Sequence, residues 1–224
     1  MLKHLYLFYI ILISLFVQEC SHKHYCTTSD NIQKEHIVIQ QQPIDSSIYK
    51  HILPYKTKLD KDLNIIIANT DFPLEKDKTC NNLAQLVFES MKFYADSFVN
   101  QNYFILINYG GLRANLPKGN ITKRNIFELM PFDNSIVILE LNDNQLNELL
   151  QKSQSNSKLL VKSTYPNHTS HILVTSDYLY QGGDDCTFLK SAKKLNNKTI
   201  FIRDAIIQYC QHQKKLNISC FHQK

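Results

Sequence analysis

Glycine is scarce in this sequence, with 5 among 224 residues. Gly110, Gly111 and Gly119 lie in one stretch of the chain, while Gly182 and Gly183 form the only other group. Glycine tolerates positive φ angles and lets a ligand approach the main chain closely. Such sparing use indicates that each glycine answers a local backbone requirement. The two doublets are therefore the first places to search for a functional site.

Other absences narrow the class of protein. The sequence contains no Cys-x-x-Cys pair, which argues against a zinc knuckle or a thioredoxin-like redox site. The formal net charge is +5, yet the lysines are scattered and form no basic block, so we do not expect a nucleic acid partner. We find neither a serine nucleophile turn nor a phosphate-cradling loop of the NTPase type. The sequence thus offers binding groups without a recognisable nucleophile.

The N-terminal segment resembles an export signal. Residues 5–17 are almost wholly apolar, too short to cross a bilayer but suited to a signal-peptide core. Cys20 follows this core, as does the lipid-bearing cysteine of a bacterial lipoprotein, although a plain secreted or periplasmic protein remains the alternative. We predict a signal peptide at 1–19, a polar lipoprotein-type tether at 20–50 and a folded domain at 51–224. The protein would then be anchored at the outer membrane or cell surface. The disulfide pairing of the remaining cysteines cannot be deduced from the sequence.

Strand-like and helix-like segments alternate along the rest of the chain. Apolar, β-branched runs predict strands at 63–68, 105–107, 136–141 and 172–175. Asparagine and threonine caps predict helices that begin near residues 82, 123 and 143, with a polar loop at 151–157. A closing helix near 200–209 would carry Arg203 and Asp204 as a surface ion pair. The pattern predicts an α/β fold of mixed strands covered by helices.

Each glycine doublet follows a predicted strand. After the first doublet, Arg113 offers a planar fork suited to phosphate or carboxylate. Before the second doublet lies Tyr178, and after it Asp184, which together could supply a stacking face and a hydroxyl acceptor. Taken alone, each stretch is more simply explained as a turn, the first with a surface arginine and the second with solvated acids.

Taken together and in order, these motifs resemble the C-terminal domain of the 5'-nucleotidase family over about residues 63–211. Asn108-Tyr109-Gly110-Gly111-Leu112-Arg113 resembles Asn-Gly-Gly-Gly-Ile-Arg. Pro131-Phe132-Asp133-Asn134 resembles Pro-Phe-Gly-Asn, and Asp177-Tyr178-Leu179-Tyr180-Gln181-Gly182-Gly183-Asp184 resembles Asn-Phe-Leu-Ala-Asn-Gly-Gly-Asp. The resemblance implies a layered, mixed-sheet α/β domain with outer helices.

The resemblance also implies a nucleotide pocket. Phe132 and Tyr178 would sandwich the base, and Asp184 would accept hydrogen bonds from the ribose hydroxyls. The family positions that hold the sugar and phosphate side of the ligand are matched by Asn108, Gly111 and Arg113.

The family's catalytic domain has no counterpart in this sequence. Family enzymes cleave phosphate esters at a two-metal centre in an N-terminal metallophosphatase domain, whose Asp-x-His and Gly-Asn-His-Glu/Asp motifs are missing here. We therefore expect no catalytic residue, metal or cofactor in this chain. It would be the substrate-binding half of a split exported 5'-nucleotidase, and a separate metallophosphatase would supply the divalent metal pair. The alternative is a non-catalytic nucleoside- or nucleotide-binding surface lipoprotein.

Overall fold

The structure is a computed structural model that describes residues 46–77, 79–164, 170–198 and 200–222. The predicted signal peptide, the predicted lipidation site Cys20 and most of the predicted tether lie outside the described residues. Within the described part of the chain, no helix has the length and apolar character needed to cross a membrane.

Helices and strands alternate through the described residues. In chain order they are α1 (Ser46–Leu63), β1 (Ile66–Thr70), α2 (Asn82–Ala95), β2 (Phe104–Asn108), β3 (Gly119–Thr122), α3 (Lys123–Leu129), β4 (Ile136–Glu140), α4 (Asp143–Ser155), β5 (Leu159–Ser163), β6 (Ile172–Ser176), α5 (Asp177–Tyr180), β7 (Lys193–Lys194), α6 (Ile202–Gln213) and β8 (Lys215–Leu216). Short 3-10 turns occupy Tyr109–Gly111, Gly183–Asp185 and Thr187–Ser191.

The strands form two mixed sheets. The larger sheet has the order β5-β2-β6-β4-β7, in which β2 and β6 are parallel and the other pairs are antiparallel. The smaller sheet has the order β3-β1-β8. Helices pack on the larger sheet, so the predicted α/β architecture with a mixed sheet and outer helices is confirmed.

Alternation along the central strands produces two apolar layers. Ile105 and Ile107 of β2 join one buried cluster, which includes residues of α2 and α6. Leu106, between them in the sequence, joins a second cluster with Leu146 and Leu149 of α4. The larger sheet is therefore covered on both faces, and its polar groups emerge at the strand ends.

The helix starts follow from local capping. The Asn81 side chain accepts a hydrogen bond from the Ala84 backbone N–H at 2.9 Å, which caps α2. Thr122 and Asn142 each form a capping box with the residue three positions later, at the starts of α3 and α4. These contacts satisfy backbone N–H groups that have no partner within the helix. The predicted caps are thereby confirmed.

Three features of the fold differ from or extend the sequence interpretation. Helix α1 begins at Ser46, inside the segment interpreted as a tether. Helix α4 continues to Ser155, so the interpretation of residues 151–157 as a loop is wrong for most of that range. A disulfide joins Cys80 to Cys220, a pairing that the sequence left open. Lysine and glutamine favour helix almost as strongly as leucine does, which explains the longer α4.

Helix α1 presents an exposed apolar face. No side chain in the helix is buried, and the exposed apolar residues Ile48, Ile52, Tyr55 and Leu59 recur at three- and four-residue spacing. Such spacing places them on one side of the helix. The helix is connected to α3 through Asp60, whose carboxylate forms an ion pair with Arg124. Each of the four apolar side chains is more than half exposed.

Candidate functional site

Three chain segments meet at one edge of the larger sheet. Strands β2 and β6 are parallel neighbours, so Asn108 at the end of β2 and Asp177 just after β6 emerge at the same edge. Strand β4 is antiparallel to β6, with Ile136 opposite Ser176, so the loop that enters β4 lies at this edge as well. Polar groups gather where parallel strands end in open α/β sheets. This topology explains how residues distant in sequence can share one site.

A cavity of about 280 Å³ opens at this edge. It is lined by Asn108, Gly110, Arg113, Phe132, Asn134, Tyr178 and Asp184. Five of the six predicted site residues therefore line one cavity, and the sixth, Gly111, is buried in the adjoining turn. Gly110 and Asn134 also line the cavity, although we did not select them. Gly110 belongs to the motif at residues 108–113, and Asn134 belongs to the motif at residues 131–134.

The two predicted stacking residues expose their rings. Phe132 is 46% exposed and Tyr178 is 41% exposed, and both line the same cavity. The Cζ atom of Arg113 lies 5.7 Å from the centroid of the Phe132 ring, which places the cation beside this ring. Large exposed aromatic side chains that converge on one concave site are suited to a flat ligand. The structure thus brings the two rings and the guanidinium together.

The first glycine doublet shapes the cationic end of the cavity. Arg113 is exposed, and its Nη1 donates to the Gly110 carbonyl at 3.4 Å. The described residues form nine ion pairs, none of which includes Arg113. The guanidinium is therefore open to an anionic ligand. An added Cβ at Gly111 would lie 2.9 Å from Asn108 Oδ1, so this glycine makes room for the Asn108 amide.

A second cation, Lys76, lies close to this turn. Its Nζ donates to the Leu112 carbonyl at 3.1 Å and lies 3.8 Å from the centroid of the Tyr109 ring. Burial, and then the nearby positive charge of Arg113, lowers the pKa of Lys76 below its ordinary value. We did not select Lys76 from the sequence because it lies 37 positions before Arg113. Lys76 therefore adds a positive charge next to the first doublet.

The second glycine doublet supports the Tyr178 ring. An added Cβ at Gly183 would lie 2.4 Å from Tyr178 Cζ, so no other residue fits beneath the ring without displacement. Gly182 has φ 94°, and Asp184 and Asp185 also have positive φ angles of 47° and 65°. Aspartate tolerates this region better than most residues but at a cost of about 1 kcal/mol. This turn therefore combines close packing with backbone strain.

Asp177 links the two segments that carry the rings. Its Oδ1 accepts hydrogen bonds from the backbone N–H groups of Ser135 and Tyr178, each at 2.9 Å. Its own backbone N–H donates to the Ser135 carbonyl at 2.9 Å. One carboxylate therefore fixes the start of α5 against the loop that carries Phe132. Asp177 begins the motif that contains the second glycine doublet, but the sequence did not predict this role.

The predicted surface ion pair of Arg203 with Asp204 is wrong. Arg203 is only 8% exposed, and its Nη2 forms an ion pair with Asp133 Oδ1 at 2.7 Å. The partner lies 70 positions earlier in the chain, in the Phe132 loop. Local spacing does not reveal such a contact. One available signal was that Arg203 precedes the buried Ile206 and Cys210 by three and seven positions, which places it on the inner face of α6.

The described residues contain few groups suited to metal binding or nucleophilic attack. Among them, no group of three or more His, Cys, Asp or Glu side chains is arranged to hold a metal ion. The two free cysteines in the described part of the chain are buried, and burial raises the pKa of Cys186 to about 11 and that of Cys210 to about 12. Thiols of this kind are poor nucleophiles near neutral pH. The cavity instead offers aromatic faces, a guanidinium, amides and a carboxylate.

Comparison with known proteins gives a consistent family. Residues 65–177 match the family model described as 5'-nucleotidase, C-terminal domain. The chain is 26% identical over 106 residues to a 5'-nucleotidase of Vibrio cholerae, covering 47% of this chain and 19% of that protein. It is 20% identical over 225 residues to Protein UshA of Yersinia enterocolitica, covering 88% of this chain and 40% of that protein.

A solved structure shares the fold. The 5'-nucleotidase precursor of Thermus thermophilus superposes with a TM-score of 0.62 at 19% identity, covering 79% of this chain and 42% of that chain. The chain thus spans less than half the length of each of these relatives.

Proposed function

Because this chain belongs to the family of 5'-nucleotidase C-terminal domains, we propose that it is the substrate-binding half of a split 5'-nucleotidase. In this proposal the chain binds a nucleoside monophosphate, or the nucleoside itself, in the cavity at the edge of the larger sheet. A separate metallophosphatase chain would perform the hydrolysis.

One observation carries the proposal. Two exposed aromatic rings, Phe132 and Tyr178, line the same cavity as Arg113 and Asp184. Stacking on an aromatic ring contributes roughly 1 to 3 kcal/mol per base and tolerates different bases. A guanidinium grips phosphate oxygens in a bidentate manner, and a carboxylate accepts hydrogen bonds from ribose hydroxyls. The lining therefore supplies one partner for each chemical part of a nucleotide.

The proposed assignment of hydrolysis to a second chain is supported by the greater length of the relatives. The matched family is a C-terminal domain, and this chain covers 40% of Protein UshA. We assign the missing chemistry to the portion that precedes such a domain, supplied here by another protein. A divalent metal pair in that partner would clamp the phosphoryl group and lower the pKa of a bound water. The residues of this chain would hold the base, ribose and phosphate in position.

Helix α1 is the surface that we assign to this partner. The helix directly precedes the family-matched region at residue 65, where the rest of a longer relative would be joined. Its residues Ile48, Ile52 and Leu59 are each more than half exposed, and Tyr55 is 79% exposed. An apolar face of this kind favours association with another protein.

We also propose that the chain is exported. The apolar segment at residues 5–17 has the character of a signal-peptide core, and Cys20 would carry a lipid anchor to the outer membrane or cell surface. The Cys80–Cys220 disulfide supports this proposal because such bonds persist in oxidising compartments outside the cytosol.

The binding half of the proposal is tested by calorimetric titration with adenosine and AMP. We expect Phe132→Ala to weaken both ligands by about tenfold, from the loss of one stacking face. Arg113→Gln should weaken AMP more than adenosine, because adenosine lacks the phosphate. Phe72→Ala is the matched control, since Phe72 is also an exposed aromatic residue but does not line the cavity. Equal affinities for the wild type and Phe132→Ala would contradict the proposed site.

The split-enzyme half of the proposal needs the partner chain. A metallophosphatase that co-purifies with this protein from native membranes would be mixed with it and a divalent metal. We expect the mixture to release phosphate from AMP faster than either chain alone. A mixture that stays inert while both chains are folded would refute the split enzyme. If adenosine still binds to this chain, that result would favour the alternative of a non-catalytic nucleoside-binding protein.

A further inference from the structure

The loop that carries Phe132 is held from outside by the start of α6. The backbone N–H of Ile202 donates to the Asn134 carbonyl at 2.9 Å, and Ser135 forms a β-bridge with Phe201. Phe132 itself lies in the part of the loop just before these contacts, with a ring that is 46% exposed. The position of this ring therefore depends on how its backbone is held.

Arg203 supplies that hold. Its Nη2 donates to Asp133 Oδ1 at 2.7 Å, and its Nη1 lies 3.4 Å from the Met130 carbonyl oxygen and 3.5 Å from the Phe132 carbonyl oxygen. One guanidinium thus reaches three residues of a four-residue stretch. The planar fork of arginine suits several acceptors at once, whereas lysine presents a single point charge.

Aromatic stacking fixes the guanidinium in turn. Its Cζ atom lies 4.4 Å from the centroid of the Phe127 ring in α3 and 5.5 Å from the centroid of the Phe201 ring. The side chain of Arg203 is 10% exposed, while that of Asp133 is 70% exposed. The arginine is therefore the fixed partner of the ion pair, and the loop is ordered against it.

This placement is a poor choice for stability alone. Arg203 lies in the first turn of α6, where the helix dipole disfavours a cation. Its Nε is buried without a hydrogen-bond partner among the described residues. A buried donor without a partner is unfavourable, and local violations of this kind concentrate at functional sites. The contacts to the Phe132 loop give a reason for retaining the arginine.

We infer that Arg203 is a positioning residue that holds the Phe132 ring at the spacing from Tyr178 that a nucleobase requires. This inference rests on the proposed nucleoside site. Arg203 need not touch the ligand, because it acts through the backbone of residues 130–133. We therefore expect that loss of the Arg203 guanidinium weakens ligand binding even where the fold is retained.

The test follows the ring directly. The sequence contains no tryptophan, so the substitution F132W introduces a single indole whose fluorescence anisotropy reports the mobility of this side chain. We expect R203K in the F132W background to lower the anisotropy. In the otherwise wild-type chain, R203K should weaken adenosine binding by about tenfold, since hydrogen bonds from a charged group are lost. D133N should act in the same direction but less, and it leaves the buried arginine in place should R203K fail to fold.

Ile206→Val is the matched control. Ile206 is fully buried in the same helix and contributes to the core, so its truncation should lower thermal stability while leaving the anisotropy and the adenosine affinity unchanged. If R203K leaves the anisotropy unchanged, or if Ile206→Val lowers it equally, the positioning role is refuted. If the wild type binds no nucleoside, the proposed function fails, whereas the anisotropy still decides whether Arg203 orders the loop.

Discussion

The two glycine doublets differ in backbone conformation and in what they pack against. At the first doublet, neither Gly110 nor Gly111 has a positive φ angle. An added Cβ at Gly111 would lie 2.9 Å from Asn108 Oδ1, whereas one at Gly110 would not come as close to a neighbour. At the second doublet, Gly182 has φ 94°, and an added Cβ at Gly183 would lie 2.4 Å from Tyr178 Cζ. Similar sequences therefore meet different needs. The first turn accommodates an amide, while the second supports an aromatic ring on a strained backbone.

The largest expected effect is that of an alanine substitution at the second doublet. Gly183→Ala places a methyl group where the Tyr178 ring lies, so the ring must move. We expect nucleoside affinity to fall by about tenfold, the equivalent of one lost stacking face. We also expect roughly 1 to 3 kcal/mol of destabilisation from overpacking. Titration with adenosine and thermal unfolding measure the two effects.

Gly110→Ala is the stability control for this prediction. The nearest atom to an added Cβ at Gly110 is Asn108 Nδ2 at 3.7 Å, an ordinary van der Waals distance. Its thermal stability should remain unchanged or rise slightly, because alanine restricts the unfolded chain. If the two alanine variants unfold at the same temperature, the contrast between the doublets is not real.

Substitutions at Asp184 separate strain from binding. Asp184 has φ 47° and lines the cavity. Asp184→Gly removes a backbone cost of about 1 kcal/mol but adds freedom to the unfolded chain, so we expect nearly unchanged stability. Adenosine affinity should fall by about tenfold, as for the loss of a hydrogen bond to a charged group. Asp184→Asn should show a smaller loss of affinity. An Asp184→Gly variant that binds adenosine normally would remove the carboxylate from the proposed site.

A milder change is expected at the first doublet. In Gly111→Ala, the Asn108 amide must shift to admit the new methyl group. We expect AMP affinity to fall by less than about tenfold, because one neutral hydrogen bond contributes roughly 0.5 to 1.5 kcal/mol. A loss as large as that of Gly183→Ala would show that the first turn is the less tolerant one.

The smallest expected effect is a change in the thiol reactivity of Cys186, which reports on the second turn. Its backbone N–H donates to the Gly183 carbonyl at 3.0 Å, and burial raises its thiol pKa from 9.0 to about 11. Because the folded pKa is raised, the stability from the protonated thiol is fully present below pH 9 and is lost as the pH rises through about 11.

We expect Gly183→Ala to accelerate labelling of Cys186 by a thiol reagent at mildly alkaline pH. Labelling of Cys210 in α6, whose thiol is also buried, should not change. Mass spectrometry of the labelled peptides distinguishes the two sites. Equal acceleration at both cysteines would indicate general loosening of the fold and not a change confined to the second turn.

The features that could be predicted from the sequence are those fixed by near neighbours. The caps at Asn81, Thr122 and Asn142 bond within three residues, and the strand runs are short and apolar. The motifs also located five residues that line one cavity, although their binding role stays a prediction. The positions of these motifs within the sheet required the pairing of β2, β4 and β6, which no local pattern specifies.

What the sequence did not reveal depends on distant partners. Arg203 pairs with Asp133 across 70 positions, and Cys80 pairs with Cys220 across 140 positions. Helix α1 was missed for another reason. It contains Pro54, a residue that argues against a helix interior. The helix also buries no side chain, so packing against the core does not account for its formation. Long-range contacts and exposed apolar faces are the parts of this fold that local patterns do not determine.

The Cys80–Cys220 bond closes a covalent ring that encloses every residue lining the cavity. A protease that cuts the main chain once between these two cysteines would leave both pieces attached to each other. The nicked protein would migrate as one species on a non-reducing gel and as two fragments after reduction. In the exported protein that we propose, one such cut would not release either half of the cavity.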